Sequence, residues 1–155
     1  MTATATTATG TGTVTSPTAT STGLPFTGSG YIYVYNSAGT QQGFLISAGT
    51  WYNTAGTPAT YTTNYTTNAT SDVGPFTLHT SKGYCEVYAN NNTLGCGLWI
   101  TVDVATGFYA NGSNLVYGAG NGGFGATAVP TGSVQGNIIA GVAEPYMLTL
   151  TWVGK

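Results

Sequence analysis

The sequence predicts an all-β domain, a sandwich or a barrel of about nine to ten short antiparallel strands, with an extended N-terminal tail. Polar and apolar residues alternate with a period of two in short runs, which is the pattern of strands with one buried face. Gly, Asn and Pro separate these runs. No segment has a helical period, and 24 glycines in 155 residues disfavour helices.

The first predicted strand, residues 31–35, shows the alternation most clearly. Tyr31, Tyr33 and Tyr35 lie on one face, and Ile32 and Val34 on the other. A turn follows at residues 36–39, whose Asn, Ser and Gly favour tight turns. The same reasoning predicts further strands at residues 43–47, 50–52, 59–65, 76–80, 84–88, 94–99, 114–117, 124–129 and 146–153.

Two of these regions carry additional expectations. Three consecutive Asn residues, 90–92, predict a hairpin tip between the strands at 84–88 and 94–99. Beyond the predicted strand at 94–99, the alternation continues to residue 104, with an aliphatic face opposite a face of polar and aromatic residues. The aliphatic face comprises Leu98, Ile100, Val102 and Val104. The opposite face comprises Trp99, Thr101 and Asp103.

Residues 1–23 form a biased tail that precedes the single domain predicted at 24–155. The tail contains 11 Thr, no charged residue and one proline, Pro17. Thr/Ser-rich segments with Pro are typical of O-glycosylated linkers. The Thr-Ala alternation of residues 2–6 instead favours a strand, which could add to the sheet edge of its own domain or of a neighbour. Both interpretations remain open.

Charged residues are scarce, at 4% against about 25% in typical soluble domains. They are Lys82, Lys155, Asp72, Glu86, Asp103 and Glu144. Two Lys and no Arg cannot neutralise a phosphate backbone, which excludes nucleic acid as a partner. No apolar run is long enough to span a membrane. Weak self-repulsion permits association between copies of the chain.

The cysteines and the glycosylation motifs indicate secretion. Cys85 and Cys96 lie in neighbouring predicted strands, where an extracellular protein would form a disulfide across the hairpin; two buried free thiols are the alternative. Asn-x-Ser/Thr motifs in polar, turn-like stretches predict N-glycosylation at Asn64, Asn68, Asn91 and Asn111. No charged segment followed by an apolar stretch opens the chain, so any signal peptide is expected to have been removed.

The sequence offers few candidates for catalysis. His79 is the only histidine, and Ser81 and Asp72 are its nearest possible nucleophile and acid along the chain. A glycosidase would need two facing carboxylates, for which Glu86 and Asp103 are the best pair because both fall within predicted strands. Neither arrangement is specific, so we expect a surface or packed His79 and no enzyme. No metal-ligand spacing is present, and no cofactor is predicted.

Flat aromatic side chains offer a better route to a function. Trp51, Tyr52 and Trp99 could stack on the pyranose rings of a glycan, with Asn and Thr providing hydrogen bonds. The alternative is that tryptophans in a small β domain belong to its core. We expect a core position for Trp152 and leave both alternatives open for Trp51 and Trp99.

Three segments carry a resemblance to a known family. Residues 43–52 are Gly-Phe-Leu-Ile-Ser-Ala-Gly-Thr-Trp-Tyr, residues 74–85 are Gly-Pro-Phe-Thr-Leu-His-Thr-Ser-Lys-Gly-Tyr-Cys, and residues 129–136 are Val-Pro-Thr-Gly-Ser-Val-Gln-Gly. In this order and spacing they resemble the C-terminal extension domain of fungal extracellular ribonucleases of the T2 type, over residues 29 to 153. The Leu-Ile-Ser-Ala-Gly-Thr-Trp-Tyr run, residues 45–52, is the most specific part.

The resemblance implies an extracellular attachment domain without ribonuclease chemistry, because the family's paired catalytic histidines lie in a separate upstream domain. In the family, one Cys stands at the position of Phe44 and another near Pro58. Their joint absence implies the loss of one disulfide, with Phe44 filling the space, whereas Cys85 and Cys96 are retained.

The sequence therefore predicts a non-catalytic extracellular domain at the cell wall that self-assembles through its N-terminal strand. A module that binds cell-wall polysaccharide is the first alternative. A secreted effector that acts on other cells is the second.

Overall fold

A computed structural model describes residues 26–65, 74–102, 105, 107–118, 122–141 and 145–155. These residues form twelve strands and no helix, which confirms the predicted all-β class. Within the described part, no helix is long and apolar enough to cross a membrane. The strands are β1 (Ser29–Asn36), β2 (Gln41–Leu45), β3 (Trp51–Tyr52), β4 (Tyr61–Tyr65), β5 (Phe76–Thr80), β6 (Gly83–Val87), β7 (Leu94–Gly97), β8 (Phe108–Asn111), β9 (Asn114–Tyr117), β10 (Phe124–Ala126), β11 (Ile139–Ala140) and β12 (Tyr146–Gly154).

Six of these strands close into a barrel. The order β1, β12, β9, β8, β5, β4 returns to β1, and every pairing is antiparallel. The closing pair joins β1 and β12 along almost their whole length, from Gly30 opposite Gly154 to Asn36 opposite Leu148. Because both strands run the height of the barrel, they fix its register. Of the two predicted architectures, the barrel is therefore the correct one.

Three short hairpin extensions continue the sheet beyond the barrel: β2–β3 on β1, β10–β11 on β12, and β6–β7 on β5. Their outer edges are partly covered by loops. Trp51 of β3 exchanges two backbone hydrogen bonds of 2.8 Å with Gly136. In β7, the Leu94 N–H donates to the Ile138 carbonyl and the Cys96 N–H to the Ala48 carbonyl. Paired backbone groups of this kind are not open to strand addition.

The barrel interior collects the inward-facing residues of the alternating strands. In β1, Ile32 and Val34 are buried while the tyrosines between them face outward, as the alternation predicts. The ring of Phe26 stacks on Phe76 at 5.1 Å and meets Trp152 at 5.0 Å. Trp152 is 6% exposed, which confirms its predicted core position.

The predicted extension of β7 is wrong. The strand ends at Gly97, and the Ile100 N–H donates to the Gly97 carbonyl at 3.2 Å, which closes a turn. Among the described members of the predicted aliphatic face, Leu98 and Val102 are exposed and Ile100 is buried, so residues 98–102 do not share one buried face. In the described residues, no strand pairs with residues 98–102 to support their apolar alternation. Asp103 and Val104 lie outside the described residues.

Other boundaries also differ from the prediction. The structure contains two strands that the sequence did not predict, β8 and β11, and both are four residues or shorter. Asn90–92 do form the β6–β7 turn, where Asn92 has a positive φ of 55°. The predicted tail, residues 1–23, lies outside the described part, so its strand and linker interpretations stay predictions.

The site of the expected missing disulfide is packed. Phe44 is 6% exposed and its ring lies 5.9 Å from that of Tyr52. Phe44 and Pro58 line the same surface depression, of about 330 Å³. The depression thus brings Phe44 to the same part of the surface as Pro58, near which the resemblance implies the second cysteine.

Candidate functional site

The β6–β7 hairpin is joined by a disulfide between directly opposed residues. Cys85 and Cys96 are paired in register with a Cα–Cα distance of 3.9 Å, which confirms the predicted bond. Both cysteines are buried and face inward. Because side chains alternate along a strand, Tyr84 and Glu86 of β6 face outward. The disulfide therefore fixes which residues the hairpin presents to solvent.

Two glycines keep the outward face of β7 free of side chains. A Cβ atom at Gly97 would lie 2.6 Å from the ring of Trp99, and one at Gly95 would lie 2.5 Å from the ring of Tyr88. Both rings therefore lie directly on the backbone of β7, which only glycine permits. The turn at residues 97–100 folds Trp99 back over the strand that it has just left.

The ring of Trp99 lies at one end of a row of paired positions that crosses four strands. Gly97 is paired with Tyr84, Tyr84 with His79, and His79 with Thr62, so all four positions share the outward face. The rings of His79 and Tyr84 meet edge to face at 5.0 Å. Trp99 is 74% exposed, His79 is exposed, and Tyr84 and Tyr88 are half-buried. We call Trp99, Tyr84, Tyr88 and His79 the aromatic platform.

A cleft of about 560 Å³ adjoins the platform, and His79 lines it. Most of its other lining residues carry hydroxyl groups: Ser47, Thr57, Thr60, Thr62, Thr80 and Ser81. Among the described residues that line it, none has a carboxylate or an ammonium group. We call it the hydroxyl cleft.

Partly buried hydrogen bonds hold the wall of this cleft. The Thr80 hydroxyl donates to the Ser47 carbonyl at 2.7 Å and accepts from the Lys82 N–H at 3.1 Å. Behind Ile46, which lines the cleft, the Tyr61 hydroxyl donates to the Ile46 carbonyl at 2.7 Å. Complete burial raises the pKa of Tyr61, so this phenol stays protonated at neutral pH and acts as a structural donor.

The candidate catalytic residues do not assemble in the described part of the molecule. His79 and Ser81 both line the hydroxyl cleft, but Asp72 lies outside the described residues. Glu86 faces outward on β6. Asp103, its candidate partner as a second carboxylate, lies outside the described residues. No group of three or more potential metal ligands occurs among the residues that the structure describes.

Of the two alternatives left open for Trp51, the structure places this residue in the core. Trp51 has no exposed surface, and its indole N–H donates to the Gln42 carbonyl at 2.7 Å, so it cannot offer a ring face to a sugar. Tyr52, on β3, is half-buried and its ring contacts that of Phe44 on β2. In the sheet, β1 and β2 lie between β3 and the strands that carry the platform. Trp99 has the exposed face that stacking requires.

Tyr84 and Tyr88 are partners of Trp99 that were not predicted from the sequence. The available signal was the Gly-Cys-Gly alternation of residues 95–97, which leaves one face of a strand bare beside an aromatic strand. His79 was identified, but as a catalytic candidate rather than as part of an aromatic row.

Three of the predicted glycosylation sites are exposed. Asn64, Asn91 and Asn111 lie at the surface, and the Asn91 side-chain oxygen accepts a hydrogen bond from the Thr93 N–H at 3.0 Å. Asn68 lies outside the described residues. The attachment of sugars at these positions stays a prediction.

Comparison with known proteins identifies the family to which the chain belongs. The family model described as RNase T2-like C-terminal domain matches residues 24–153. A protein from Emericella nidulans (strain FGSC A4), named Ribonuclease T2-like, is 34% identical over 122 residues, which are 78% of this chain and 27% of that protein. The chain thus spans about a quarter of the length of this relative. No solved structure gives a significant match. The chain belongs to the RNase T2-like C-terminal domain family.

Proposed function

We propose that this protein is a non-catalytic, secreted domain that attaches to cell-wall polysaccharide through the aromatic platform. One observation carries the proposal: Trp99 lies over the bare backbone of Gly97, with 74% of its surface exposed, in line with Tyr84 and His79. Large exposed apolar surfaces in a soluble domain usually mark an interaction site.

The chemistry of the platform suits sugar rings. A pyranose presents C–H groups on its faces and hydroxyls around its edge, so it can stack on an indole while its edge hydrogen-bonds to nearby polar groups. Stacking of planar ligands on aromatic side chains contributes about 1–3 kcal/mol per ring in nucleic-acid complexes, and we expect a similar order here. Glu86, outward on β6 between Tyr84 and Tyr88, supplies an acceptor for hydroxyl groups.

The same platform is poorly suited to nucleic acid. The formal net charge of the chain is −2, and Glu86 adds a negative charge within the aromatic row. A polyanion would be repelled, because its binding depends on the release of counterions by Lys and Arg. An uncharged, hydroxyl-rich polymer meets no such penalty.

The absence of catalysis is part of the proposal. The match lies in a C-terminal domain and covers 27% of the T2-like relative, so the ribonuclease chemistry implied by that name would reside in the remainder. The disulfide and the exposed sequons support secretion, since disulfides persist in oxidising compartments.

The test is retention on insoluble chitin and on insoluble β-glucan, measured as the bound fraction against polymer concentration. We expect the wild type to bind at least one polymer and Trp99→Ala to bind about tenfold more weakly, which corresponds to about 1.4 kcal/mol. Tyr146→Ala is the matched control, because it removes another exposed aromatic ring, on β12. Equal retention of Trp99→Ala and wild type, or no retention of the wild type, would contradict the proposal.

Self-assembly through residues 1–23 is a separate proposal that the Thr-Ala alternation supports. The covered edges of β3 and β7 leave less backbone open to a donated strand than uncharged edges alone would suggest. Deletion of residues 1–23 tests it by light scattering. An unchanged particle size after deletion would exclude donation of the tail.

A further inference from the structure

We propose that the hydroxyl cleft is a second subsite for the same glycan, so that about four consecutive units of an uncharged oligosaccharide lie across β7, β6, β5 and β4. This inference rests on the proposed function, since it needs a glycan on the platform. It goes beyond that function by specifying how many sugar units bind, that the glycan runs across the strands, and that the glycan is uncharged.

His79 makes the two regions continuous. On one side its ring contacts Tyr84 at 5.0 Å, and on the other it lines the hydroxyl cleft. Thr62, the next position in the row, also lines the cleft. A glycan that stacks on Trp99 and follows the row therefore reaches the cleft at His79 and Thr62.

The length follows from the spacing of the strands. Neighbouring strands are about 4.8 Å apart, so the row from Gly97 to Thr62 spans about 14 Å. One hexose unit in an extended chain is similar in length to one strand spacing. Four strands thus match about four units, with the chain running across the strands rather than along them.

The cleft has the chemistry for the last of these units. The exposed hydroxyls of Thr57, Thr60 and Ser81 can donate to and accept from a sugar, whereas the Thr80 hydroxyl is occupied within the protein. A volume of about 560 Å³ lies within the range of small-molecule sites and accommodates a hexose.

Charge restricts the ligand further. The described lining of the cleft has no ammonium or carboxylate group, and the charged side chain among the platform rings is the carboxylate of Glu86. Polymers of uronic acids would face that carboxylate, and the row contains no lysine or arginine. Neutral hexose and N-acetylhexosamine chains carry no charge that the Glu86 carboxylate would repel, and their hydroxyl groups can donate to it.

The experiment measures the affinity of neutral oligosaccharides of two to six units, prepared from chitin and from β-glucan, by calorimetry. We expect Kd to fall with each unit up to about four and then to stay constant. Thr60→Val combined with Ser81→Ala should weaken binding of the tetramer five- to tenfold and leave the dimer unchanged. Trp99→Ala should weaken both. Thr131→Val, at an exposed threonine elsewhere, is the matched control.

The outcomes separate the two proposals. Affinity that stops rising at two units, or a tetramer that binds the cleft variant as tightly as wild type, overturns the second subsite and leaves the platform intact. Tighter binding of an oligouronate than of the neutral tetramer overturns the charge argument. A wild type that binds no oligosaccharide and no insoluble polymer overturns the proposed function itself.

Discussion

Two glycine–tryptophan pairs in this molecule have the same local geometry and opposite surroundings. A Cβ at Gly30 would lie 2.5 Å from the ring of Trp152, and a Cβ at Gly97 would lie 2.6 Å from the ring of Trp99. Trp152 is 6% exposed, inside the barrel, whereas Trp99 is 74% exposed, on the outward face of the hairpin. The contact with glycine is therefore not what decides whether a tryptophan belongs to the core.

The difference lies in what covers the second face of each ring. The ring of Trp152 also contacts that of Phe26, with 5.0 Å between the ring centroids, and β1 pairs with β12 around it. Trp99 follows the end of β7, in a turn that no further strand covers in the described part. A ring with one face on the protein and one face in water is available for a ligand, and this distinguishes the platform from the core.

The largest expected effect comes from removing each tryptophan in turn. Trp152→Ala should lower the free energy of unfolding by about 3–5 kcal/mol, because it leaves a cavity in the barrel. Trp99→Ala should change it by less than about 0.5 kcal/mol, as is usual for surface substitutions. Urea denaturation of both variants measures this. Similar losses in the two variants would show that Trp99 is structural and remove the contrast.

The disulfide gives the next effect. Replacing Cys85 and Cys96 together with Ala removes a bond between residues 11 positions apart, which should cost about 3 kcal/mol in the chain-entropy model. Loss of polymer binding should occur at a lower denaturant concentration in this variant than in wild type. If the variant loses polymer binding and unfolds at the same denaturant concentrations as wild type, the disulfide does not stabilise the hairpin.

The smallest effect comes from the two glycines. In Gly30→Ala the new methyl meets Trp152 within the core and the Val153 carbonyl at 2.7 Å, so we expect a loss of about 1–3 kcal/mol from overpacking. In Gly97→Ala the Trp99 ring can move outward into solvent, so stability should fall by less. Polymer retention should fall nonetheless, because the ring no longer lies flat. Unchanged retention would mean that the orientation of Trp99 is unimportant.

Much of the barrel could be predicted from local alternation. The faces of β1 and the burial of Leu148, Leu150 and Trp152 in β12 follow from a period of two in long strands. Short elements could not be predicted in the same way. In β8, four residues that begin at Phe108 carry too little pattern to distinguish a strand from a turn.

The candidate site could be predicted only in part, because its geometry depends on which strands pair and in which register. Trp51 and Trp99 both occur in short predicted strands, and only the position of the neighbouring strands and loops decides that one is buried and the other exposed. Likewise, the alignment of Tyr84 with Gly97 and His79 is a property of the register between strands. A single sequence gives no direct measure of register, although the disulfide between Cys85 and Cys96 fixes it within the hairpin.

The closing pair of the barrel has a consequence for how fast the protein folds. Residues of β1 and β12 that face each other are over a hundred positions apart along the chain. Contacts of such separation cost a large loop entropy before they stabilise anything, and domains dominated by them fold in milliseconds to seconds rather than microseconds. We therefore expect closure of β12 on β1 to limit the refolding rate, and the disulfide-linked hairpin, whose partners are near in sequence, to form before it.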